Sequence, residues 1–95
     1  MYQIGEAEVR NVRRLIKSGH MYRYHDDSFC ENFERDWAAH VGVRYARMTR
    51  NGTSALSTGL IGLGVGPGDQ VIVPSTTYMA TALAVLSAGA IPVIC

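Results

Sequence analysis

Gly52, Thr53 and Ser54 stand where an extended-looking run, "VRYARMT", gives way to a helical one. Such a junction has a chemistry of its own. The first N–H groups of a helix lack intrahelical partners and the helix dipole adds positive potential, so a phosphate can be held there by backbone alone. The same residues can also serve as a plain cap, Asn51 or Thr53 giving an oxygen to one of those N–H groups. A second candidate is "PSTTYMAT", after the next strand-like run, where Thr76, Thr77 and Tyr78 offer hydroxyls and a ring face. In parallel α/β sheets ligands lie beyond the carboxyl ends of the strands, and both segments occupy such ends. One suits a phosphate and the other a flat aromatic group, which together point to a phosphorylated planar cofactor.

Other chemistries find less support. The run "GLGVGPG" (62–68) invites comparison with a dinucleotide fingerprint, but it leaves a helix and enters a strand, and its spacing does not fit. No Gly-Lys-Ser/Thr occurs, so there is no Walker A loop. His20, His25, Asp26, Asp27 and Cys30 match no standard zinc or calcium spacing, and no metal is expected. No serine, histidine and acid can be grouped into a triad by spacing. A net charge of +1 gives no overall field for nucleic acid or an anionic membrane. Cys30 and Cys95 form neither a redox pair nor a disulfide framework, which favours a reducing, cytoplasmic setting. The start "MYQIGEAEVR" is too polar for a signal peptide, and the apolar runs fall short of a membrane span. The sequon Asn51-Gly52-Thr53 is read as chance.

The elements that must position these residues follow from periodicity. Val9, Val12 and Ile16 predict an amphipathic helix from Glu6 to about Ser18, closed by Gly19, with a narrow apolar stripe and a basic outer face. The aromatic and charged stretch "HMYRYHDDSFC" reads as a loop. A second helix is predicted from about Ser28 to His40, with Phe29, Phe33 and Trp37 along one face as core residues and Gly42 as its stop. From Val43 the grammar becomes βαβαβ: strand "VRYARMT", helix "TSALSTGLIGLGV", strand "QVIVPS", helix "TYMATALAVLSAG", strand "IPVIC". Gly66-Pro67-Gly68-Asp69 suits a type II turn. Gly59 and Gly62 continue a small-residue stripe from Ala55, and Ala80, Ala84 and Ser87 make another. Interior glycines cost roughly 1 kcal/mol each, so tight docking against the sheet or a neighbouring helix is expected.

"NGTSAL", "LGVGPGDQVIVPSTTYMATALAVLSAGAIPV" and the upstream "SGHMYRYHDDSFCENFERDWAAHVGV" together resemble the N-terminal part of the DegT/DnrJ/StrS family of pyridoxal-phosphate aminotransferases. The resemblance covers nearly the whole chain. It implies the α/β fold type I architecture, with N-terminal helices leading into a βαβαβ portion of the large domain whose sheet is incomplete here. It divides the chain into a helical segment and substrate-side loop at 1–42 and the start of the cofactor-binding domain at 43–95. It also implies pyridoxal 5'-phosphate (PLP) as cofactor and transfer of an amino group from glutamate or glutamine to a keto-sugar or keto-cyclitol, by homodimers. By position, Gly52, Thr53 and Ser54 would hold the phosphate, Tyr78 would stack on the pyridine ring, and Tyr22, Arg23 and Tyr24 would lie on the substrate side.

Three positions depart from the family pattern while keeping size or polarity: Asn51 for serine, Gln70 for glutamate, and Tyr78 for the commoner phenylalanine or tryptophan. The family's Schiff-base lysine and the aspartate facing the pyridine nitrogen come later than residue 95. Lys17, the single lysine, sits in the first helix and is given no such role, so no catalytic residue is assigned. The expectation is an N-terminal fragment, inactive alone and poorly soluble because strand edges stay exposed. In this fold the first strand lies apart from the next two, with strands from elsewhere between them. The competing reading is a complete small α/β module that binds a phosphorylated ligand or mediates assembly.

Overall fold

The computed structural model describes residues 3–95 and divides into two compact units, Met1–Arg47 and Met48–Cys95. The first unit holds helices α1 (Glu6–Ser18) and α2 (Phe29–Val41). The Gly5 N–H donates to Glu8 Oε2 at 2.7 Å. That is the glutamate half of a capping box, since Gly5 has no side chain to return the bond. This hydrogen bond holds the Glu8 carboxyl below its ordinary value. Lys17 in the last turn suits the negative helix end. No residue of α1 is buried.

Helix α2 begins at Ser28, whose Oγ accepts the Glu31 N–H at 3.2 Å. It ends at Gly42, with His40 in the last turn. The expected aromatic core along this helix is not what forms. Phe29, Phe33 and Trp37 are each 41 to 50% exposed, whereas Glu34 and Ala38, on another face, are buried. The Arg14 guanidinium of α1 lies over the Phe29 ring, 5.9 Å from its centre, and the other rings of the stripe pair with each other and with His40: Phe33 and Trp37 lie 5.9 Å apart, and Trp37 and His40 5.5 Å.

The second unit holds α3 (Gly52–Gly62), β1 (Gln70–Val73), α4 (Ala80–Ser87) and β2 (Ile91–Ile94). β1 and β2 pair in parallel, from Gln70 opposite Ile91 to Val73 opposite Ile94, with α4 as the crossover. Residues 43–49 form no strand. An alternating run can be extended, but a strand is made by ladder hydrogen bonds, and the described sheet has two members, β1 and β2.

Both helices of this unit end in the same way, and that ending builds the core. The Gly64 N–H donates to Ile61 O and the Val65 N–H to Leu60 O; the Gly89 N–H donates to Leu86 O and the Ala90 N–H to Val85 O. These are Schellman pairs around a left-handed glycine, and they direct the following residue back onto the helix. Ala90 thus joins Val73 and Val85 in the buried cluster, with Leu60, Val65 and Val71 against it. The turn at 66–69 forms as expected: the Asp69 N–H donates to Gly66 O at 3.1 Å, and Gly68 takes φ +93°. Asp69 Oδ2 accepts the Gly66 N–H at 2.8 Å, locking the turn from the other side.

Helix α3 packs against α4, yet the small-residue stripe is not explained by that contact. A Cβ built at Gly59 or Gly62 meets nothing within 4 Å. The close approach expected at these two glycines is absent from the described residues.

Gly89 is different, because its φ is +81° and a Cβ there would lie 3.2 Å from Pro67 Cγ. Gly64 has φ +84° with open space around it. Gly64→Ala should therefore cost about 1–2 kcal/mol from backbone strain, and Gly89→Ala should cost more. Urea unfolding of the two variants checks the order, and equal losses would remove the Pro67 contact from the explanation.

Candidate functional site

The start of α3 is set by Asn51. Its backbone is extended, its carbonyl accepts the Ala55 N–H at 3.0 Å, and its Oδ1 accepts the Ser54 N–H at 2.8 Å. Thr49 Oγ1 donates to the same Asn51 carbonyl at 3.0 Å. The plain capping role is therefore real, and Asn51 fills it. It does not exhaust the helix start. The N–H groups of Gly52 and Thr53 have no hydrogen-bond partner among the described residues. The first turn holds no acidic residue. Two open donors at the positive end of a helix, with no carboxylate to compete, can accept an anionic group.

The segment between β1 and α4 supplies the other wall. Residues 74–79 are irregular, and α4 begins at Ala80, later than the helical pattern suggested. The Tyr78 side chain is 83% exposed and has no ring or hydrogen-bond partner among the described residues. Gly52, Thr53, Leu56, Tyr78, Ala80 and Thr81 border one open recess of about 630 Å³. Its lining is largely apolar, with Thr53, Tyr78 and Thr81 adding polar groups, the composition expected of a small-molecule site.

Three of the cofactor-side candidates, Gly52, Thr53 and Tyr78, therefore meet at one recess. Ser54 does not line it: its N–H is taken by Asn51, and its side chain borders a separate hydroxyl-rich hollow with Thr49, Arg50, Thr53, Ser57 and Thr58. Thr81 was not singled out from sequence. Its Oγ1 lies 2.9 Å from Thr77 Oγ1, and the i, i+4 spacing of two hydroxyls was the available signal.

In the Met1–Arg47 unit, Tyr22 and Tyr24 stack with ring centres 5.4 Å apart. Arg23, between them, turns away to Glu34: Nη2 donates to Oε2 at 2.7 Å and Nε to Oε1 at 3.3 Å. Arg47 Nη1 also donates to Oε2, at 3.1 Å. Glu34 is 6% exposed, and the two guanidiniums compensate a carboxylate that would otherwise be costly to bury. Arg23 thus has a structural partner already. No group of three histidine, cysteine or acidic side chains suited to a metal occurs among the described residues. No helix there is long and apolar enough to cross a membrane.

Residues 2–95 match the model of the DegT/DnrJ/EryC1/StrS aminotransferase family. The chain belongs to this family. It is 48% identical over 66 residues to GDP-perosamine synthase of Caulobacter vibrioides, covering 70% of this chain and 18% of that protein. It is 45% identical over 82 residues to dTDP-3-amino-3,4,6-trideoxy-alpha-D-glucose transaminase of Streptomyces venezuelae, covering 86% and 21%. The PLP form of Spr1654 from Streptococcus pneumoniae superposes with a TM-score of 0.85 at 33% identity, over 97% of this chain and 23% of that one. The solved structures matched are fold type I aminotransferases, and the fold is the α/β type read from sequence. The chain spans about a fifth of the length of the curated relatives it matches.

The capping bond makes a direct expectation. Asn51→Ala should destabilise the Met48–Cys95 unit by about 1 kcal/mol, while Asn51→Asp, an equally good cap, should stay within a few tenths of the parent. Chemical denaturation measures both. A harmless Asn51→Ala would mean that the side chain does not hold the helix start.

Proposed function

We propose that the protein is a PLP-dependent aminotransferase that passes an amino group from glutamate or glutamine to a keto-sugar or keto-cyclitol. The observation that carries this reading is the pairing of two unpartnered N–H groups, on Gly52 and Thr53, with the exposed Tyr78 ring at one recess. The residues fit the cofactor: a phosphate takes the amide donors and helix dipole, and a flat pyridine ring takes an aromatic face. Matched relatives support the choice, since solved structures among them hold PLP or its amino form, PMP.

When bound, PLP supplies the electron sink that amino-group transfer requires. This chain's own residues do something narrower. Gly52 and Thr53 hold the phosphate through backbone N–H groups, Asn51 keeps the Ser54 N–H out of that contact, and Tyr78 orients the ring. Ser54 belongs to the cap and lies outside the recess. Lys17 lies exposed in α1 and takes no part, so these 95 residues by themselves hold cofactor without turnover. Tyr22 and Tyr24 serve the substrate side, with Arg23 fixing their loop. The working protein is a cytoplasmic homodimer, and residues 43–95 begin its cofactor-binding domain.

Gly52→Pro tests the phosphate contact cleanly. Proline is tolerated at the first helical position, and Asn51 already has the extended backbone that a residue before proline adopts. The substitution removes one N–H and spares the helix. PLP affinity, followed by absorbance, should fall about tenfold or more, as for loss of a hydrogen bond to a charged group. Affinity for pyridoxal, which lacks the phosphate, should not change. Equal losses for both ligands, or none, would contradict the assignment.

A further inference from the structure

The Tyr78 ring has no ring or hydrogen-bond partner of its own among the described residues. Its place at the recess is therefore set by the backbone that carries it. That backbone, the irregular run 74–79, is tied on both sides. On the strand side the Ser75 N–H donates to Cys95 O at 2.9 Å, which extends the pairing of β1 and β2 past Val73. On the helix side the Tyr78 carbonyl accepts the Thr81 N–H and the Met79 carbonyl accepts the Leu83 N–H, both at 3.0 Å.

Side chains add a further tie on the helix side. Thr77 Oγ1 and Thr81 Oγ1 lie 2.9 Å apart, so one hydroxyl donates to the other across the turn that holds Tyr78. Met79, at the start of α4, supplies no side-chain cap. Both members of the pair are β-branched and stiff at χ1, so the bridge costs little rotamer freedom to form. Thr81 is half-buried and lines the recess, whereas Thr77 is exposed and lies outside its lining. Thr77 can therefore act on a ligand there only through Thr81 and the backbone of Tyr78.

We propose that Thr77 and Thr81 are positioning residues whose hydroxyl bridge holds the Tyr78 backbone so that its ring is kept at the recess to stack on the pyridine ring of the cofactor. The ligand in this inference rests on the aminotransferase reading, while the bridge itself belongs to the ligand-free chain. A bridge that only strengthened the helix start would change stability and treat all ligands alike. A bridge that places Tyr78 changes the ring contact and leaves the phosphate contact at Gly52 and Thr53 intact.

Three ligands and one relaxation measurement test this. Thr77→Val keeps the branched shape and removes the hydroxyl. PLP and pyridoxal should each bind about fivefold more weakly, the order of one neutral hydrogen bond, while inorganic phosphate keeps its affinity. Thr77→Ser, which retains the hydroxyl, should match the parent. Tyr78→Ala should also weaken PLP and pyridoxal, and Thr77→Val should add nothing further in that background, since residues acting through one contact are not additive. In the ligand-free protein, nitrogen-15 relaxation should show greater mobility at the Tyr78 amide in Thr77→Val and no change at Gly52. The proposal is overturned if Thr77→Val binds pyridoxal as the parent does, if its loss adds in full to that of Tyr78→Ala, or if inorganic phosphate weakens equally. A parent that binds no PLP sinks the aminotransferase reading. The relaxation result then still decides the bridge, because a Tyr78 amide as rigid in Thr77→Val as in the parent overturns it with or without a ligand.

Discussion

The hydrogen bond from the Ser54 N–H to Asn51 Oδ1 decides what the start of α3 can do. A helix begins with several donors that its own ladder cannot use. If all were capped, the turn would be closed to ligands; if none were, the helix would fray at the point where a ligand needs it rigid. Asn51 takes the third donor and leaves the first two, on Gly52 and Thr53. Capping and the proposed anion binding, which compete when only the sequence is considered, would then be divided between successive amides of one turn.

This arrangement depends on the layer behind it. α3 leans on α4, and α4 crosses between two paired strands, so the open amides and Tyr78 reach one recess because β1 ends at Val73. The Schellman endings at Gly64 and Gly89 return Val65 and Ala90 to the cluster around Val73 and Val85. In the other unit a charge plays the organising part. Buried Glu34 holds Arg23, whose sequence neighbours Tyr22 and Tyr24 are exposed. The two units thus use different physics, apolar closure in one and a buried ion cluster in the other, to hold exposed aromatic residues in place.

What could be read from sequence was what local chemistry determines. Helix α1, the Ser28 and Gly42 ends of α2, the turn at Pro67, and both paired strands were legible because caps, glycines and periodicity act within a few residues. Gly52, Thr53 and Tyr78 were legible as neighbours because both segments follow strand-like runs. Features that need a partner were not. Among the described residues, the run at 43–49 has strand-like alternation but no ladder, Phe29, Phe33 and Trp37 have helical spacing but stay exposed, and Gly59 and Gly62 have no close neighbour. Periodicity says which residues share a face, while burial depends on what that face meets. The division of amides at Asn51 escaped for another reason: residue type shows that a cap is available, but only geometry shows which N–H it takes.

The amide signals of the α3 start provide the most direct measurement. In a nitrogen-15 NMR titration with PLP, the Gly52 and Thr53 amides should move downfield together, as N–H groups do on donating to a phosphate, and pyridoxal should leave them in place. The Ser54 amide, already bonded to Asn51, should move far less with either ligand. A Ser54 response as large as the other two, or Gly52 and Thr53 signals indifferent to the phosphate, would contradict the proposed cradle.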